Sequence, residues 1–175
     1  MVRDKEATKA KLLDAALEEF SQYGIAGARV DRIAAKAGCN KAMIYAYFGS
    51  KEGLFEELLK IQIDRMIKAV PITPEDLPGY AGRLFDSYLD QPQLLRLAAY
   101  HRLDNGFEAI PKAEAEAYRH KVEAIAKAQL DGKATAAFNA SDLLDLVVHM
   151  STLAFTTPNA TRELVERSVR RLVAE

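Results

Sequence analysis

Three glycines close short helical stretches in the first fifty residues, and they constrain this chain more than any other feature. Leu13, Ala16, Leu17 and Phe20 recur at helical spacing up to Gly24, and Val30, Ile33, Ala34 and Ala37 do so up to Gly38. A third stretch runs from Asn40 through about Phe48 to Gly49. Glycine readily takes the left-handed conformation that ends a helix, so two short helices joined by Gly38-Cys39-Asn40 lie between longer neighbours. Asn40 stands where an N-cap opens the second of them. Gly49-Ser50-Lys51-Glu52 then restarts the chain, with Ser50 as N-cap of a fourth helix through Leu54, Phe55, Leu58, Leu59, Ile61 and Ile63 to about Ala69.

The same period continues to the C-terminus, and no alternating run is long enough for a strand, so the class is all-α. Val70 to Gly79 holds three prolines, cannot continue a helix, and is where two subdomains meet. Beyond it helices are expected near 80–90, at 92–104 (opened by Pro92), 111–130, 141–156 (capped by Ser141) and 160–174. By function the chain divides into residues 1–50 and 51–175.

Composition removes several classes. One cysteine, Cys39, forms no disulfide within the chain, and three scattered histidines give no zinc spacing, so no metal or other cofactor is expected. No apolar run reaches membrane-spanning length, and the charged start lacks the apolar stretch of a secretory signal, so a cytoplasmic protein without membrane contact is expected. No nucleophile with a paired base, phosphate loop or catalytic carboxylate pair is present, so no enzyme is expected. The net charge of −1 hides its distribution. Residues 29 to 51 carry Arg29, Arg32, Lys36, Lys41 and Lys51 against the single acid Asp31, a local basic footprint.

A short helix, a glycine-centred turn and a second short helix form a helix-turn-helix, whose second helix enters the major groove. At about 100° per residue, Asn40, Ile44 and Phe48 line the inward face of that helix, and Ala42, Met43, Tyr45 and Ala46 the outward one. Lys41 and Tyr47 flank the buried stripe, and side chains there reach the phosphates on either side of a groove. The outward face is poor in hydrogen-bonding groups, so it would read bases through apolar contact with thymine methyls, helped by DNA shape.

These residues also resemble a family. Ile33-Ala34-Ala35-Lys36-Ala37-Gly38, Lys41-Ala42-Met43-Ile44-Tyr45-Ala46-Tyr47-Phe48 and Gly49-Ser50-Lys51-Glu52-Gly53-Leu54-Phe55 are similar to the N-terminal DNA-binding domain of TetR-family transcriptional regulators, over roughly residues 8 to 60. The resemblance implies a three-helix DNA-binding domain followed by a helical ligand-binding and dimerisation domain. It also implies a homodimeric repressor on a pseudo-palindromic double-stranded operator, released by a small molecule. DNA contacts are then expected from Arg29, Lys41, Ala42, Met43, Tyr45, Ala46, Tyr47 and Lys51. Where relatives put threonine at the start of the second helix this chain has Ala28-Arg29, so the cap is lost and Arg29 is expected at a phosphate. Gly53 stands where alanine is usual and costs about 1 kcal/mol of helix propensity.

The C-terminal part is short for the family and diverges most. Its aromatics Tyr80, Phe85, Tyr88, Tyr100, Phe107, Tyr118 and Phe155 fall mostly at core spacing, and Tyr88, Tyr100, His101 and Tyr118 are the expected polar groups of a mostly apolar effector site. The last two helices carry broad apolar stripes, and Leu146, Met150, Leu153, Val165, Val169 and Leu172 are expected at a dimer interface built as a four-helix bundle. The alternative is a helical small-molecule binding protein that kept this N-terminal fold without binding operator DNA.

Overall fold

The computed structural model describes residues 2–106 and 112–174, all of whose regular structure is helical. In chain order these are α1 (Val2–Gly27), α2 (Val30–Ala37), α3 (Lys41–Phe48) and α4 (Lys51–Ala69), then α5 (Leu77–Asp90) after a short 3-10 turn at Pro74–Asp76. They continue as α6 (Pro92–Asn105), α7 (Lys112–Leu130), α8 (Ala140–Ser151), α9 (Leu153–Thr156) and α10 (Arg162–Val173). Phe107 lies outside the described residues.

Two compact units divide this chain, and neither is one continuous stretch. The first holds 2–63 and 93–106, the second 64–92 and 112–174. The division therefore falls within α4, between Ile63 and Asp64, instead of at 50/51 or in the proline-rich segment, and α6 belongs to the first unit. The reason is burial. Leu54, Phe55, Leu58 and Leu59 of α4 and Leu97 of α6 share one core with Leu12, Ala16 and Phe20 of α1 and with Ile33 and Ile44. Phe20 and Phe55 meet edge to face at 5.2 Å between centroids, a geometry favoured by the ring quadrupoles.

The second unit packs α8 and α10 against α5. Tyr80, Ala81, Leu84 and Phe85 of α5 are buried, as are Leu143, Leu144 and Val147 of α8 and Val165 and Val169 of α10. Gly82 sets the closeness of α10, because a Cβ there would run into the Glu166 side chain. Ser151 donates from Oγ to the Ala81 carbonyl at 3.1 Å, tying α8 to α5. Arg162 ties α10 to α5 by pairing with Asp86, and pairs with Glu166 within α10.

Several expected boundaries move for identifiable reasons. Gly24 has φ 67, but the chain turns helical again to Gly27, so the glycine makes a kink instead of an end. Proline is tolerated in the first turn of a helix, and Pro78 sits there in α5, whose N-cap Asp76 accepts from Gly79 N at 3.0 Å. Asn139, not Ser141, caps α8, accepting from Asp142 N at 2.9 Å. The expected single helix 141–156 is broken at Thr152, whose hydroxyl donates to the His149 carbonyl at 2.7 Å.

Candidate nucleic-acid interface

The turn between α2 and α3 is built by two residues. Gly38 is left-handed (φ 65, ψ 32) with its N–H directed to the Ala34 and Ala35 carbonyls, and Cys39 N donates to the Ala34 carbonyl at 2.9 Å. Asn40 then caps α3, its side-chain oxygen accepting from Ala42 N at 2.9 Å. That role keeps Asn40 exposed, which corrects its expected place on the inward face. Ile44 alone on α3 is wholly buried and pins the helix to the core.

What α3 leaves outside is a narrow face. Ala42, Tyr45 and Ala46 are exposed, Tyr45 at 46%. Met43, expected beside them, is half-buried against the core, and Tyr47 is half-buried with its ring 6.2 Å from that of Phe48. Lys41 is exposed at the edge, 3.0 Å from Asp31 of α2, and the hydrogen bond to that carboxylate raises the lysine's pKa. An exposed pair of this kind is weak and gives way readily to a phosphate.

Glu19 replaces the missing threonine cap. From α1 its Oε1 accepts from Arg29 N at 2.8 Å, the orphan donor at the start of α2, and from Arg32 Nε at 2.7 Å. Burial pushes the Glu19 carboxyl up, but Arg32 and the Arg29 N–H outweigh it and hold the group below the usual carboxylate range. Arg32 also donates to the Gly27 carbonyl at 3.0 Å and lies 4.3 Å over the Tyr23 ring. Sequence reading missed this cluster, since Glu19 is ten residues from the cap it serves. The only signal was an acid among the apolar positions of α1. Arg29 itself leaves its side chain exposed beside the helix start.

Lys51, expected at a phosphate, is engaged by backbone carbonyls. Its ammonium donates to the Ile25 carbonyl at 2.7 Å and lies 3.4 Å from that of Ala28, so it fastens α4 to the connection between α1 and α2. Ser50 caps α4 as expected, Oγ accepting from Gly53 N at 3.0 Å. Gly53 is explained by space, because a Cβ there would strike the Phe48 carbonyl oxygen. Lys9 of α1 completes the bracing with Glu57 at 2.8 Å.

The four expected effector residues fall in different units. Tyr100 and His101 belong to the first, where the Tyr100 ring lies against the Gly24 backbone and His101 stacks on Phe55 at 6.1 Å. Tyr88 and Tyr118 belong to the second. There burial pushes the Tyr88 hydroxyl up to about 12, whereas Tyr118 is exposed and hydrogen-bonded to Asp145. Of the expected interface residues, Leu146 is exposed and Met150, Leu153 and Leu172 are half-buried. Val165 and Val169 are a correction. Both are at 0% exposure within their own subunit, so they offer no surface to a partner.

Comparison with known families agrees with this geometry over both units. Residues 12–58 match the bacterial regulatory proteins of the tetR family, and residues 76–175 match the tetracyclin repressor-like C-terminal domain. The chain belongs to the TetR family. It is a DNA-binding transcriptional regulator, and the helix-turn-helix α2–α3 is the family's DNA-binding element. Among TetR relatives, the HTH-type transcriptional repressor SCO4008 of Streptomyces coelicolor is 44% identical over 93% of this chain and 86% of its own. The crystal structure of SCO4942, from the same organism, superposes with a TM-score of 0.82 at 31% identity, covering 95% of this chain and 98% of that one. A Bacillus subtilis regulator, FadR, solved with stearoyl-CoA, shares the fold at a TM-score of 0.66 and 19% identity, over 93% of this chain and 96% of its own. Among the described residues no helix is long and apolar enough to cross a membrane.

Proposed function

We propose that this TetR-family regulator is a cytoplasmic homodimeric repressor that binds a pseudo-palindromic operator through α3 and leaves it when a mostly apolar small molecule occupies its C-terminal unit. The observation that carries the DNA part is the face of α3. A capped two-turn helix, pinned by one buried isoleucine, presents Ala42, Tyr45 and Ala46 with Lys41 at its edge. Small residues at two of the three positions let the backbone approach the base edges, and phosphate contacts at the rim set register.

The dimer reading is supported by the exposed apolar side chains Leu146 on α8 and Phe155 on α9, which an interface through these helices would cover. A two-fold protein requires two-fold DNA. Release by a ligand requires that the ligand bind the DNA-incompetent state better, and a tenfold loss of operator affinity corresponds to about 1.4 kcal/mol of coupling. No enzymatic step is part of this function. The operator is found by selecting bound sequences from random duplexes, and a gel shift on the selected duplex separates the regulator from a helical binding protein that ignores DNA. Binding of random and selected duplexes with equal affinity contradicts the proposal.

A further inference from the structure

The core of the second unit contains polar groups that packing does not explain. Tyr80 of α5 is at 0% exposure, yet its hydroxyl has no hydrogen-bond partner among the described residues. A buried polar atom left unpaired is rare in a settled core. From α7, Lys121 places its ammonium 5.8 Å from the centre of the Tyr80 ring and forms no hydrogen bond or ion pair among the described residues. That contact lies at the far edge of a useful cation–π distance. Burial pushes the Lys121 pKa down, against a pull upward from Glu114, so the lysine is held where its charge is poorly solvated. Tyr88, two turns beyond Tyr80 on α5, is also desolvated at its hydroxyl, with Glu114 adding to the rise in its pKa.

The pairing of these groups fixes how they face one another. Tyr80 on α5 therefore faces Lys121 on α7. Leu84 and Ile125 follow Tyr80 and Lys121 by one turn each on the same helix faces, and both are buried. An unpaired buried phenol beside an ammonium is not explained by core packing.

We propose that Tyr80 and Lys121 are the polar end of the effector site, and that the effector is a small organic acid whose carboxylate accepts hydrogen bonds from both. This rests on reading the protein as an effector-released regulator. Both groups can donate, and the ammonium can only donate, so the matching ligand group is an acceptor that carries negative charge. A carboxylate brought to Lys121 gives its ammonium a direct partner and the Tyr80 hydroxyl an acceptor. The apolar body of the acid lies against the buried side chains beside Tyr80, with Leu84 one turn away on the same face of α5.

Calorimetric titration of the full chain tests this directly. The probes are hexanoate, decanoate, benzoate and phenylacetate, each compared with its primary amide and its amine. At least one carboxylate is expected to bind ten times or more tighter than both matched compounds. Lys121→Met should erase that preference, Lys121→Arg should retain it in part, and Tyr80→Phe should weaken carboxylate binding several-fold with the melting temperature held or raised. Amines or amides binding as well as the acids, no acid binding at all, or a Lys121→Met protein with unaltered preference would each overturn the proposal. The regulator reading is judged separately, by whether the wild-type protein binds a selected duplex, and that result does not depend on any probe.

Discussion

Glu19 joins α1 to α2 through a single carboxylate, and it shows most clearly how one residue can decide the geometry of the reading head. It supplies the acceptor that Ala28-Arg29 cannot, and it fixes Arg32, which in turn grips the Gly27 carbonyl and covers Tyr23. Replacing Glu19 by glutamine removes a charge-assisted bond worth about 2 kcal/mol. A carboxyl whose folded pKa lies below its unfolded value of about 4.3 contributes stability that is fully present above that pH and is lost as pH falls through the folded pKa. The melting temperatures of wild type and Glu19→Gln should therefore differ at pH 7 and draw together as the pH falls from about 4.3 through the lowered folded pKa; a gap that persists in strong acid would mean that Glu19 acts by packing alone. Gly53 belongs to the same scale. Sequence alone made it a helix-propensity loss, but the Phe48 carbonyl leaves no room for a Cβ. Gly53→Ala should cost about 1–3 kcal/mol as overpacking, and a stabilised variant in thermal melts would contradict that.

Between elements, charges that look alike in sequence do different work. Lys41 and Lys51 both belong to the basic footprint, yet Lys41 is exposed beside Asp31 and Lys51 is spent on backbone carbonyls. Each phosphate contact adds about 0.9 to the slope of log affinity against log salt. Lys41→Ala should lower that slope by about 1, while Lys51→Ala should leave it unchanged and lower the melting temperature by several degrees. The reverse pattern, read from operator binding at four or five salt concentrations, would return Lys51 to the interface. The identities of α2, α3 and α4 were legible because glycine and asparagine mark their ends, and because Ile33, Ile44 and Leu54 keep the helical period. The side-chain clamps were not. A bond between residues 51 and 25 leaves no periodic trace.

At the scale of the molecule, the sequence pattern showed two helical regions but not which helices pack together, because burial and not chain order decides which helices share a core. Leu97 of α6 completes the core of the first unit, although Pro92 and the helix it opens lie well beyond the proline-rich segment. The same ambiguity affects the last two helices. An apolar stripe reads identically whether it faces a neighbour in the same chain or in another, and only the fold assigns Val165 and Val169 to the inside and Leu146 to the outside. Leu146→Asp should therefore give folded monomers in sedimentation with much weakened operator binding, since burying an unpaired charge at an interface costs several kcal/mol. Val169→Asp should unfold the subunit instead. Intact dimers from Leu146→Asp would move the interface away from α8.

The claim that α3 reads a two-fold operator is tested most directly by selecting bound sequences from a pool of random duplexes, with the wild-type protein and with Ala42→Asp in parallel. Ala42 is exposed, so the substitution spares the core while setting a carboxylate on the face that meets the bases. Wild type should enrich one inverted repeat with half-sites about one helical turn apart, and Ala42→Asp should enrich nothing while melting at the wild-type temperature. Enrichment of the same repeat by both proteins, or of none by the wild type, would contradict the account.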